Sequence, residues 1–134
     1  MKQIQQFPFL RFGSYSRPII PITLRHKKLI LETYGFVDSA SDMTIFHTKF
    51  AAFLNIDLNS SQIMYISGIK KGYEGNTFGY LNEVEIGVGE YFFKSPVVFS
   101  EDLRYDRMGV LGEVGFFDNF VIEFDRAHKI VTLR

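Results

Sequence analysis

A chain of 134 residues with 46% hydrophobic side chains holds enough apolar material to close one core, which excludes a disordered tail or linker. Fifteen Lys and Arg against fifteen Asp and Glu give a formal charge of zero. The basic surplus that nucleic-acid binders use against phosphates is therefore absent, and no nucleic-acid partner is expected. There is no cysteine, which removes disulfides, thiolate zinc sites and cysteine nucleophiles together. No stretch approaches the roughly 18 consecutive apolar residues of a membrane span. The opening residues carry no targeting pattern, since Pro8 and Arg11 interrupt them. A cytoplasmic protein with no membrane partner is the expectation.

In chain order the texture is β. Ile19-Ile20-Pro21-Ile22-Thr23-Leu24 and Leu29-Ile30-Leu31-Glu32-Thr33-Tyr34-Gly35-Phe36-Val37 flank the polar Arg25-His26-Lys27-Lys28, which predicts a hairpin. Pro18 and Pro21 push its first strand toward an edge, because proline donates nothing to a ladder. Phe50, Phe53 and Leu54 then stand at helical spacing behind Thr48, a candidate N-cap, with Asn55 as the stop.

Residues 62–67 and 77–86 read as a long hairpin with a glycine-bearing tip at Gly68-Ile69-Lys70-Lys71-Gly72. Gly87-Val88-Gly89-Glu90 turns into Tyr91-Phe92-Phe93-Lys94-Ser95-Pro96-Val97-Val98-Phe99, and a polar loop spans 100–107. Gly109-Val110-Leu111-Gly112 reads as a buried strand followed by a helical turn through Phe116 and Phe117. The segments 120–124 and 130–133 close the chain as a hairpin. An apolar strand running into a loop and a short helix thus occurs twice, and only the first copy carries a carboxylate, Asp38.

Asp38 ends an apolar run, with Ser39 and Ser41 beside it as hydrogen-bond donors. By itself that pair reads as a turn at a strand end. The other constellations are weaker. His26, His47 and His128 lie far apart and read as turn or solvated side chains, so no metal is expected. No Gly-x-Ser-x-Gly elbow occurs, and glycine at every third residue from Gly109 to Gly115 is not the dinucleotide fingerprint, so no cofactor is expected. Lys27-Lys28 and Lys70-Lys71 read as solvated turns.

The ordered set of segments resembles the retroviral-type (retropepsin-like) aspartic proteases, particularly small bacterial members. Pro18-Ile19-Ile20-Pro21-Ile22-Thr23-Leu24 is similar to the family's first strand. Gly35-Phe36-Val37-Asp38-Ser39-Ala40-Ser41-Asp42 resembles its apolar-Asp-Thr/Ser-Gly-Ala-Asp loop, and Phe50-Ala51-Ala52-Phe53-Leu54-Asn55-Ile56-Asp57 the helix that follows. Gly68 to Gly72 stands where the family has its flap. Val110-Leu111-Gly112, with Gly115-Phe116-Phe117-Asp118, resembles the second apolar-apolar-Gly element.

The resemblance covers residues 18–134 as one protease domain, behind an N-terminal extension, 1–17, that reads equally as a propeptide, a dimer strand or a disordered arm. It implies an all-β, closed or partly barrelled fold with one or two short helices and one lobe per chain. It also implies a homodimeric endopeptidase acting on peptides or unfolded proteins. Two carboxylates close enough to share one proton are needed, one as base toward water and one as acid toward the carbonyl. A single Asp-Ser loop per chain leaves symmetry to supply the second Asp38. Ser39 would bond across the axis; Ala40, Asp42, Gly68, Ile69, Gly72 and Val110 would contact substrate.

Three positions depart from the family pattern: Ala40 replaces a glycine, Glu113 stands where many members carry Arg, and Lys70-Lys71 replaces small flap residues. The alternative reading from another class is a catalytically weak or inactive pseudo-protease, serving as a peptide-binding or dimerisation module.

Overall fold

β-Branched and aromatic runs separated by two-residue turns dictate an architecture of paired strands, and the computed structural model, which describes residues 2–66 and 77–134, has twelve of them. These are β1 Gln5–Pro8, β2 Leu10–Phe12, β3 Tyr15–Arg17, β4 Ile19–His26, β5 Leu29–Val37 and β6 Ile45–His47, then the helix α1 Thr48–Phe53. β7 Gln62–Ile66, β8 Thr77–Val88, β9 Tyr91–Ser100, β10 Met108–Leu111, β11 Ile122–Asp125 and β12 Ile130–Leu133 follow. Short 3-10 turns cover Leu58–Ser60 and Phe117–Asn119. The fold is all-β with few helices, as expected.

Six strands close a barrel in the order β4-β5-β10-β6-β9-β8, with β8 pairing back onto β4 and β7 hanging outside on β8. The β4–β5 hairpin pairs from Ile19 opposite Phe36 to His26 opposite Leu29. Lys27 takes a φ of 55° in the turn, the left-handed geometry a two-residue hairpin demands. The proline argument holds for only half of β4. Pro21 faces Tyr34 where β4 has one neighbour, whereas Thr23, Leu24 and Arg25 also pair with β8 and seal the barrel. The proline nitrogens are thus kept off the doubly paired half.

Arg25 and Glu85 are register partners at that seam and form an ion pair at 2.9 Å, with the guanidinium 4.0 Å from the Phe92 ring centroid. The pair lowers the Glu85 carboxyl below its ordinary range, chiefly through the hydrogen bond from Arg25.

The barrel is filled by Ile20, Leu24, Phe46, Phe99, Leu111 and Phe116, each fully buried. At about 1.5–3 kcal/mol per buried large side chain, this interior is the main stabilising term. Phe93 meets Phe116 and Phe120 edge-on beside it, and the latter two rings are tilted against each other at 5.0 Å. The helix falls where expected but is capped differently: His47 is the N-cap, its Nδ1 accepting from the Lys49 amide, and Thr48 lies inside the first turn. Phe50 and Leu54 are buried, but Phe53 is 67% exposed and leaves the core stripe. Asn55 ends the helix with a φ of 56°.

The N-terminal segment is built into the sheets. β1 pairs antiparallel with β12, itself the hairpin partner of β11, and β2 pairs with β3. β7 and β8 pair from Gln62 opposite Leu81 to Ile66 opposite Thr77. The expected hairpin tip, with Gly68, Ile69, Lys70, Lys71 and Gly72, lies outside the described residues. No helix among the described residues is long and apolar enough to cross a membrane.

Candidate active site

Asp38 stands one residue beyond β5, and the barrel fixes where it can go. β5 runs parallel to β10, with Gly35 opposite Gly109, Phe36 opposite Val110 and Val37 opposite Leu111. The Asp38 amide makes the next rung, donating to Leu111 O at 3.0 Å. The chain then turns sharply: Asp38 Oδ1 accepts from the Ala40 amide at 2.9 Å, and Asp38 O accepts from the Ser41 amide at 3.2 Å. One carboxylate oxygen is therefore held by the turn, while Oδ2 makes no hydrogen bond to the described residues.

The loop continues across the segment after β10. The Glu113 and Val114 amides donate to Ser41 O and Asp42 O, each at 2.9 Å. Ser41 Oγ donates to Met43 O at 2.7 Å. Gly112 lies beneath this crossing. A Cβ there would come within 2.1 Å of Met43 O and 2.7 Å of Ser41 O, so only glycine permits the two backbones to touch.

Thr44, fully buried, ties the same crossing from within. Its Oγ1 accepts from the Gly112 amide at 3.1 Å and donates to Val114 O at 3.0 Å. The sequence reading passed over Thr44; its signal was one hydroxyl inside the apolar run Met43-Thr44-Ile45-Phe46, where a buried polar group must find partners.

Beside the turn is a cavity of about 450 Å³. Asp38 and Val110 line it together with Phe12, Phe36 and Tyr105 and the cations Arg17 and Arg104. Of the predicted residues, these two are brought to one place. Ser39 and Ala40 form the exposed turn next to it, and Asp42 is exposed farther along the loop. Ser39 makes no side-chain hydrogen bond among the described residues. Glu113 is also exposed, and neither it nor Asp42 has an ion pair there.

Phe12, Arg17, Arg104 and Tyr105 were not anticipated as cavity residues. They belong to the N-terminal hairpin and to the loop after β9, which meet through an edge-on contact of Phe12 and Tyr105 at 5.3 Å. Among the described residues no group of His, Asp or Glu is gathered closely enough to hold a metal ion.

Chemically, the site offers one half-buried carboxylate on a rigid strand end, facing a mixed apolar and cationic cavity. Acid–base work on a peptide bond needs a second acid in the opposite protonation state.

No protein-family model and no curated protein matches the chain. Solved structures do. A retropepsin-like aspartic protease from Rickettsia conorii superposes with a TM-score of 0.66 at 13% identity, covering 98% of this chain and 91% of that one. The EIAV protease, solved with the inhibitor HBY-793, superposes with a TM-score of 0.51 at 15% identity, covering 78% of this chain and 88% of that one. The six-stranded barrel, the Asp38 turn laid over Gly112 and these two superpositions lead to one conclusion: the fold of this chain is that of the retropepsin-like aspartic proteases.

Proposed function

We propose that the chain is an aspartic endopeptidase whose active site is completed by a second copy of itself, each copy supplying Asp38. The observation that carries this reading is the placement of Asp38: at the end of a barrel strand, in a turn clamped over Gly112, against a peptide-sized cavity. One ionised Asp38 takes a proton from water as the oxygen attacks the scissile carbonyl carbon. The second copy's protonated Asp38 gives its proton to the carbonyl oxygen. A proton then passes to the amide nitrogen as the C–N bond breaks, leaving a carboxylic acid and an amine.

Ser39, exposed in the turn, is the residue that would orient the pair across the axis. Ala40, Asp42 and Val110 would contact the substrate backbone, and the tip of the β7–β8 hairpin would cover it. Unfolded protein is the substrate class, because an extended strand is what such a cleft accepts.

The test is incubation of the protein with an unfolded protein or a peptide library at mildly acid pH, beside the Asp38→Asn variant. Cleavage should follow a bell on the acid side of neutrality, since only the singly protonated pair holds both an acid and a base. The variant should lose on the order of a hundredfold or more. Equal cleavage by both proteins, or activity rising steadily into alkaline pH, would refute the assignment.

A second reading is a non-catalytic peptide-binding module, favoured by the Ala40 methyl in the turn that must meet substrate. Peptide binding without cleavage by the unmodified protein would select it.

A further inference from the structure

The chain has seven arginines, and they divide sharply. Three are committed within the fold: Arg25 to Glu85, Arg126 to Ser16 O, and Arg134 to Glu123. The other four, Arg11, Arg17, Arg104 and Arg107, have no ion pair or side-chain hydrogen bond among the described residues. All four line two adjoining cavities, which together are the groove considered below. Arg17 and Arg104 border the cavity that holds Asp38. Arg11, Arg104 and Arg107 border a second cavity of about 450 Å³, which shares Phe12, Arg104 and Tyr105 with the first.

The carboxylates in this groove are Asp38, which the proposed chemistry uses, and Asp106, which already faces Lys49 at 3.4 Å. A chain of zero formal charge therefore concentrates four unneutralised guanidiniums along one cleft. Two of them lie against aromatic rings, Arg17 at 5.1 Å from the Tyr15 centroid and Arg104 at 5.7 Å from Tyr105. Ring contacts of this kind leave guanidinium N–H donors available to grip a carboxylate. Between the cations the wall is apolar, from Phe12 and Tyr105.

We propose that this groove selects extended peptides in which an acidic side chain, Asp or Glu, stands close to an aromatic or aliphatic one. The arginines take the carboxylate, and the Phe12–Tyr105 wall takes the apolar group. This substrate class rests on the peptidase reading of Asp38, but it is tested without cleavage.

The experiment measures binding of fluorescein-labelled peptides to the Asp38→Asn protein by anisotropy. The peptides are identical except for Glu, Gln or Lys beside a Phe. The Glu peptide should bind about fivefold tighter than the Gln peptide, as expected for an exposed charge contact, and the ratio should shrink toward one in high salt. Replacing the exposed pair by Arg104→Gln and Arg107→Gln should abolish the preference while circular dichroism stays unchanged.

Equal binding of the Glu and Gln peptides, tighter binding of the Lys peptide, or no binding of any would overturn the proposal. So would a double variant that keeps the Glu preference but dissociates in light scattering, because the arginines would then serve contact between copies. Cleavage by the unmodified protein is scored separately. An acid preference without cleavage removes the peptidase reading alone, and cleavage without an acid preference removes this proposal alone.

Discussion

The barrel contains two versions of one strand–loop–helix unit, and they differ in what they bring to the surface. In the first, β5 runs into the Asp38 turn and on to α1. In the second, β10 runs into Gly112 and on to the Phe117–Asn119 turn. The two strands lie side by side and parallel, ending at Val37 and Leu111. Beyond them the first copy rises to the surface, with Asp38 half-buried and Ser39 and Ala40 exposed. The second keeps Gly112, Gly115 and Phe116 buried and brings only Glu113 and Val114 to the surface between them. The first copy presents the Asp38 carboxylate, and the second is the bed on which it rests. That carboxylate therefore owes its position to a glycine and a threonine that never face solvent.

The sharpest way to break this comparison is to fill the bed. Gly112→Ala would drive a methyl against the Met43 and Ser41 carbonyls, and backbone cannot yield as a side chain does. We expect a loss of about 1–3 kcal/mol or more in urea unfolding, with the site disordered before the barrel. Stability within a few tenths of a kcal/mol of the parent would show that the crossing is looser than described.

Thr44→Val comes next. It keeps the shape but strands the Gly112 amide and Val114 carbonyl, at a cost of about 1–3 kcal/mol. Because the lesion lies under the Asp38 loop, cleavage should fall in samples that circular dichroism shows still folded. Unfolding with no separate loss of activity would make Thr44 an ordinary core residue.

Ala40→Gly acts on the presenting copy. Ala40 is not among the residues with positive φ, so its turn does not require glycine. Substitution should cost about 0.4–1 kcal/mol through the freer unfolded chain. If the methyl obstructs the approach of a peptide or the second loop, turnover should nevertheless rise. Slower turnover would mean that the loop has adapted to alanine.

The smallest effect should come from Glu85→Gln, far from both copies. Arg25 holds the folded-state carboxyl below its ordinary value. Its contribution is therefore complete above the unfolded-state pKa and is lost as the pH falls through the folded-state one. The variant and its parent should converge in thermal stability in strong acid and differ slightly near neutrality. A gap that widens in acid would contradict the assigned sign.

Much of this was legible in the chain. β4 and β5 announced themselves because β-branched residues flank the polar run Arg25-His26-Lys27-Lys28 and no rival pattern competes. Asp38 by itself reads as a turn at a strand end, and it stood out only through the family resemblance of the ordered segments around it. The closure of the barrel was implied by the family resemblance and not by local pattern, since β10 joins β5 through a four-residue register set by distant contacts. His47 took the cap from Thr48 because its ring nitrogen reached the Lys49 amide first, a choice that local preference alone does not make. The hairpin of β2 and β3 escaped notice because each strand is three residues long, too short for alternation to stand out from chance. No motif singles out Arg17 or Arg104, and only the fold brings both to the cavity that Asp38 lines.

The central claim is that one site needs two Asp38 side chains, and subunit mixing tests it most directly. The unmodified protein is combined with an equal amount of the Asp38→Asn variant, allowed to exchange, and assayed on an unfolded substrate at fixed total protein. If each site draws one carboxylate from each copy, random pairing leaves about a quarter of the sites intact, and the rate should drop to about a quarter of the unmixed value. A rate of about one half would mean that each chain works alone, and would contradict the account.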